Sequence, residues 1–80
     1  MSVYHVDNGT WRFMVAAKNQ KETCALLHCT LGELRRYGGR YPRDSKEVEI
    51  CLSEPVGTVL KKDMRELVVR WVIHKRPEVA

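Results

Sequence analysis

The sequence predicts a small α+β domain in which an antiparallel sheet packs against a pair of short helices. Two stretches near the N-terminus alternate between apolar and polar residues around an Asn-Gly dipeptide, as half-buried strands of a hairpin do. Two helix-capping patterns follow. The length of 80 residues allows one domain with one modest core, because so short a chain buries only about 60% of its unfolded surface.

The first predicted element is a β-hairpin. Residues 3–7 alternate and run into the Asn-Gly dipeptide, which tolerates the positive φ of a two-residue type I′ turn. The second strand covers residues 10–17 and places Trp11, Phe13 and Val15 on one face. We expect this Trp11 face to contact the core.

Two short helices are predicted next. Asn19 and Thr30 are each followed by a glutamate three residues later, which is the capping-box pattern that opens a helix. The first helix should begin near Gln20 and the second at Thr30, and the glycines at positions 38 and 39 should end the second helix. The two helices form a helix-turn-helix-like unit packed against the sheet.

Two later strands are expected to complete the sheet. Residues 47–52 alternate and predict a half-buried strand, and residues 56–60 predict a short antiparallel strand after a break at Pro55. Residues 64–74 fit either structure, since their apolar positions recur at helical spacing while many of them are β-branched. A C-terminal helix is the preferred interpretation, and Pro77 ends it in either case.

Positive charge is concentrated in the middle of the chain. The net charge is +4, and the stretch from position 35 to 46 contains one acidic residue. Such a cluster favours binding to a polyanion or to an acidic protein surface. The candidate partner-binding residues are the arginines of this stretch and the two tyrosines beside them: Arg35, Arg36, Tyr37, Arg40, Tyr41 and Arg43.

The sequence predicts no catalytic residues, no metal site, no cofactor and no enzyme activity. Cys24 and His28 have the spacing of two metal ligands on one helical face, and Cys51, His5 or His74 could complete a set of four. No second ligand pair with a defined spacing accompanies them. A cysteine nucleophile would need a cleft and oxyanion donors, which nothing in the sequence indicates. The three cysteines, an odd number, fit small apolar core residues in a reducing compartment.

Residues 21–37 resemble the helix-turn-helix of excisionase-like DNA-binding families. Cys24 takes the place of the small residue where the helices cross, and the apolar positions are Leu27, Cys29 and Leu34. His28 falls where those families usually carry glycine at the turn. The resemblance implies a small DNA-binding regulator whose second helix faces the duplex. Two helices that simply pack on the sheet, with the arginines on a solvated rim, account for the same residues.

A broader resemblance is to small orphan proteins of phages and prophages, a group that includes anti-CRISPR inhibitors of type I systems. The residues that carry it are Phe13-Met14-Val15-Ala16-Ala17-Lys18, Lys21-Glu22, Leu26-Leu27, Leu34, Tyr37-Gly38, Ser53-Glu54-Pro55 and Gly57-Thr58-Val59. This resemblance implies a non-enzymatic inhibitor that occupies a surface of a CRISPR–Cas effector subunit through a basic patch. A protein partner with an acidic surface is therefore favoured over duplex DNA, and a small phage assembly protein is a third possibility.

Neither membrane insertion nor export is expected. The apolar run at residues 67–73 is interrupted by Arg70 and is shorter than the ~20 residues of a spanning helix. The first eight residues lack a basic region followed by an apolar run. We expect a cytoplasmic protein, in the host bacterial cytosol if phage-encoded, that exists as a monomer or weak homodimer.

Overall fold

An antiparallel sheet lies at the centre of the protein, with short helices on both of its faces. The computed structural model describes residues 1–66 and 70–77. Within these residues the elements are β1 (Ser2–Asp7), β2 (Trp11–Ala17), α1 (Gln20–Leu27), α2 (Leu31–Tyr37), β3 (Gly38–Arg40), α3 (Lys46–Leu52), β4 (Val59–Asp63) and β5 (Val72–Lys75). The strand order is β3-β1-β2-β4-β5. This is the α+β class that the sequence predicts.

The predicted hairpin is present, but its turn is shifted by one residue. The main-chain N–H of Asn8 donates to the carbonyl of Trp11 at 3.0 Å, so the loop consists of Gly9 and Thr10. Gly9 has a φ of 92°, at the first central position where type II′ turns place glycine. The side chain of Asn8 accepts a hydrogen bond from the N–H of Trp11 at 2.8 Å, which fixes Asn8 outside the two-residue loop.

The two predicted helices are confirmed with their caps. Asn19 accepts from the N–H of Glu22 at 2.9 Å and opens α1. Thr30 and Glu33 form a complete capping box, with both hydrogen bonds at 3.1 Å. His28 ends α1 in the left-handed conformation with a φ of 54°, at the turn position expected from the sequence.

Residues 47–52 were expected to form a strand, and this prediction is wrong, since they belong to α3. Ser45 caps α3 by accepting from the N–H of Val48 at 3.4 Å. The buried side chain is that of Cys51, and Val48, three residues earlier, lies against the same core, whereas Ile50 is 41% exposed. The i, i+3 spacing of a helix therefore accounts for the burial, and the alternation of apolar residues was coincidental.

The C-terminal part of the sheet differs from expectation in two ways. The strand predicted at residues 56–60 begins only at Val59 and continues to Asp63, after Gly57 has taken a φ of 91°. The preferred C-terminal helix is not formed at residues 72–75, which are β5 and pair with β4. Val72 and Ile73 are β-branched, which favours the extended backbone that pairs with β4. Residues 64–66 and 70–71 of that prediction are not helical either, and residues 67–69 lie outside the described residues.

Both faces of the sheet are buried. Under α1 and α2, the core consists of Tyr4, Ala17 and Leu34, with Cys24, Leu26 and Cys29 packed against them. Under α3, it consists of Val3, Met14, Ala16, Cys51 and Leu60, with Tyr41, Val48, Trp71 and Ile73 packed against them. On the Trp11 face of β2 only Val15 and Ala17 are buried, while Met14 on the opposite face is 0% exposed. The second buried face was not predicted.

The helices of the described residues are short. The longest of them, α1, has eight residues. None has the length and apolar character that a bilayer-spanning helix requires.

Candidate functional site

The candidate arginines lie on consecutive elements at one edge of the sheet. Arg35 and Arg36 occupy the last turn of α2, and Arg40 is the last residue of β3, opposite Tyr4 of β1. Arg43 follows in the loop before α3. Because β3 is the outermost strand and α2 packs on β1 and β3, all of these elements share the β3 side of the molecule.

The four guanidinium groups are exposed and carry free charge. The side chains of Arg35, Arg36, Arg40 and Arg43 are all exposed. Among residues 1–66 and 70–77, ion pairs form between Arg12 and Asp7 and between Arg65 and Asp63, and none of the four arginines takes part in one. Their positive charge is therefore available to a partner.

The structure divides the candidate residues into two groups. Arg40 and Arg43 line a cleft of about 270 Å³ between the start of β1 and α3. Arg36 and Tyr37 line a second, more open cleft of about 490 Å³ beside the first turn of α2, with the Arg36 guanidinium 6.0 Å from the centre of the Tyr37 ring. Arg35 points about 100° away from Arg36 around the helix. The basic surface therefore has two parts, joined through β3.

The two candidate tyrosines have different environments. Tyr37 is 52% exposed and lies beside Arg36, as expected of a partner-binding residue. Tyr41 is half-buried against the α3 core, and its ring centre is 4.4 Å from that of His5. Tyr41 is therefore less exposed than Tyr37, and it lines the same cleft as Arg40 and Arg43.

The open edge of β3 adds main-chain groups to the basic surface. The N–H of Tyr41 donates to the carbonyl of Val3 at 2.9 Å. Since hydrogen-bonding directions alternate along a strand, the N–H and carbonyl of Arg40 face away from the sheet. Pro42, the next outward-facing residue, has no N–H to offer. A partner strand therefore has only a short length of β3 to pair with.

A polar cluster lies near the turn of the hairpin, on the α3 side of the sheet. Arg12 donates from Nε and Nη2 to the carboxylate of Asp7 at 2.6 and 2.8 Å, and these bonds lower the pKa of Asp7. Burial, followed by the positive charge of Arg12, lowers the pKa of His5. The hydroxyl of Tyr41 lies near Arg12 without a well-aligned hydrogen bond, and burial raises the pKa of Tyr41.

Sequence reasoning missed this cluster. Asp7 and Arg12 are equally distant from the turn, so the hairpin register alone makes them cross-strand partners. The contacts tie β1 to β2 and to the loop after β3. The paired Asp7 and Arg12 side chains thus join the two strands of the hairpin.

Among the described residues, no further possible ligands are grouped with Cys24 and His28 into a metal site. His28 is exposed at the end of α1, whereas Cys51 is buried beneath α3 on the other side of the sheet. Across the described ranges, no group of three or more His, Cys, Asp or Glu side chains is placed to hold a metal ion.

Comparison with known proteins finds no matching family model, no matching curated protein and no matching solved structure.

Proposed function

We propose that this protein is a non-enzymatic binding protein that occupies an acidic surface of a protein partner through the β3 side of its sheet. The observation that carries the proposal is the set of four exposed arginines, none of which is paired with an acidic residue in the described part of the chain. Free guanidinium groups bind carboxylates in two-pronged hydrogen bonds, and they steer association with acidic faces. The exposed ring of Tyr37 beside Arg36 supplies the aromatic contact that protein interfaces favour.

A protein partner fits the surface better than duplex DNA. Helix α2 has seven residues and spans only about 10 Å, which is short for a helix that must lie in the major groove. The resemblance to phage-encoded anti-CRISPR inhibitors makes type I CRISPR–Cas effector subunits the first partners to test.

The decisive variant reverses two charges on the β3 side. In Arg36→Glu/Arg40→Glu, each glutamate would face an acidic partner, so we expect affinity for that partner to fall by at least about tenfold. The measurement is biolayer interferometry against a panel of purified effector subunits, with the thermal midpoint recorded for each variant. Both side chains are exposed, so the midpoint should change by no more than a few degrees.

The control makes the same change in net charge at the opposite edge. Lys75 and Arg76 are exposed at and after the end of β5, which lies at the other side of the sheet from β3. The Lys75→Glu/Arg76→Glu variant should bind nearly as well as the wild-type chain. Equal losses in both variants would indicate a nonspecific charge effect and contradict the proposal. Binding to none of the subunits would remove the CRISPR partner from it.

DNA binding is the second candidate, and the helix turn favours it. His28 adopts the left-handed φ of 54° at the turn position, and a three-residue connection leads to the capping box of α2. These are the local features of a helix-turn-helix. For a DNA-binding protein, affinity for random duplex should fall steeply with salt, by about one unit of log–log slope for each phosphate contact. A gel shift over a salt series, with the Arg36→Glu/Arg40→Glu variant beside the wild type, tests this candidate.

A further inference from the structure

Two cysteines meet at the end of α1. The carbonyl of Cys24 accepts hydrogen bonds from the N–H of His28 and from the N–H of Cys29, the latter at 3.1 Å. These two hydrogen bonds are the pattern of a helix that ends in a left-handed residue. In such helix ends, the side chains at the positions of Cys24 and Cys29 commonly touch. An apolar pair usually makes that contact, and here both members carry a thiol.

The backbone holds the two residues within the range of a disulfide. A hydrogen bond of 3.1 Å joins the N–H of Cys29 to the carbonyl of Cys24. Together with the covalent bonds from these atoms to the two Cα atoms, it limits the Cα–Cα distance to about 7 Å. Disulfides join residues whose Cα atoms lie about 4.4–6.8 Å apart. Both cysteine side chains pack against the Tyr4, Ala17 and Leu34 core and remain partly exposed.

An open cleft leads to Cys24. It has a volume of about 660 Å³ and lies between the start of α1 and Leu31 of α2. Lys18 and Lys21 line it, and its lining contains no acidic residue. A small anionic molecule that carries a disulfide bond would therefore be attracted to the cleft and would meet Cys24 first.

We propose that Cys24 and Cys29 form a thiol pair that exchanges with an anionic low-molecular-weight disulfide and closes a disulfide bond across the turn between α1 and α2. The thiolate of Cys24 attacks one sulfur of the small disulfide, forms a mixed disulfide and releases one small thiol. Cys29 then loses its proton to solvent and attacks the Cys24 sulfur. This second step forms the intramolecular bond and releases the second small thiol, so the small disulfide is the oxidant.

The order of the two steps follows from the environment of Cys29. Burial, and then the neighbouring thiol of Cys24, raise the pKa of Cys29 to about 11. Cys29 is thus the slower nucleophile at neutral pH and suits the resolving step. The third cysteine, Cys51, is 1% exposed beneath α3 and stays out of the exchange. Closure would lock the left-handed turn that ends α1. It is independent of the partner-binding role proposed above.

The experiment incubates the full chain with oxidised glutathione and follows its intact mass. We expect the wild type to lose the mass of two hydrogen atoms and to regain it with dithiothreitol. After trypsin digestion the loss should lie in residues 22–35, a single peptide that contains both cysteines. The Cys51→Ser variant should behave as the wild type, whereas Cys29→Ser should stop at a stable glutathione adduct and Cys24→Ser should remain largely unmodified.

Three results would overturn the proposal: a wild type that stops at the adduct, a disulfide that includes Cys51, or covalent dimers as the main product. Near-UV circular dichroism checks that each serine variant is folded. If Cys29→Ser is unfolded, Cys29→Ala retains an apolar contact at the helix end and should give the same stable adduct.

Discussion

At the scale of single residues, Gly38 is the position least able to accept a side chain. Gly38 joins α2 to β3 and pairs with Val6, and a Cβ placed on it would collide with the backbone carbonyl of His5. Its φ of −154° is extended, so the requirement for glycine comes from close packing and not from backbone conformation. We expect Gly38→Ala to lower the free energy of unfolding by at least about 2 kcal/mol, measured by urea denaturation.

A second glycine provides the matched control for that substitution. Gly32 lies within α2, where a Cβ would meet only the Thr30 hydroxyl at an ordinary distance of 3.8 Å. Because alanine favours helix over glycine, Gly32→Ala should stabilise the protein by about 0.5–1 kcal/mol. If Gly38→Ala did not lower the free energy of unfolding relative to Gly32→Ala, the close contact between Gly38 and the backbone of His5 would be contradicted.

His5 should make stability depend on pH just below neutrality. Burial and the charge of Arg12 lower its pKa beneath the ordinary 6.5, so the unfolded chain binds the proton more readily than the folded one. Stability is then complete above pH 6.5 and declines as the pH falls from 6.5 towards the lowered value. In His5→Phe, which keeps a ring beside Tyr41, this part of the pH dependence should disappear from the urea midpoint.

The carboxylate of Asp7 titrates in a separate, more acidic window. Its pKa is lowered from 3.8, so its contribution is present above that value and is lost as the pH falls below it. His5→Phe should leave this acidic decline in place. A decline just below pH 6.5 that is equally steep in His5→Phe and in the wild type would contradict the assignment to His5.

At the scale of elements, local chemistry predicted the helix ends well. Asn19 and Thr30 cap the helices as expected, and His28 takes the left-handed turn position, because each depends on a few neighbouring residues. The strand predicted at residues 47–52 failed for the opposite reason. A segment of six residues is too short to separate the alternation of a strand from the spacing of a helix. Here the packing of Cys51 against the sheet decides for the helix.

The same limit applies to the binding surface. The exposure of the arginines follows from their charge and could be predicted from the sequence. The half-buried position of Tyr41 could not, because it depends on the contact of its ring with His5, which is distant in the chain. The division of the surface into two clefts likewise depends on how β3 pairs with β1 and where α3 packs.

At the scale of the whole molecule, the sheet separates two small cores. Leu34 is 1% exposed on one side and Met14 is 0% exposed on the other. We expect Leu34→Ala and Met14→Ala each to cost about 2–5 kcal/mol in the free energy of unfolding, because each leaves a cavity in a packed core. Urea denaturation measures both effects.

An exposed leucine serves as the control for the two core substitutions. Leu52 is 49% exposed at the end of α3, so Leu52→Ala should cost less than about 0.5 kcal/mol. A Met14→Ala variant as stable as Leu52→Ala would mean that the α3 side carries no core. The sequence predicted one buried face because residues 47–52, the segment that covers the second face, were assigned to the sheet itself.

The direct passage from α2 into β3 has a consequence for recognition. Tyr37 ends the helix and Gly38 begins the strand with no residue between them, and the strand is bonded to β1. The backbone that carries Arg36, Tyr37 and Arg40 is therefore already ordered before any encounter. Docking would restrict little beyond the side-chain rotamers, so the entropic penalty of association should be small for a surface of this size.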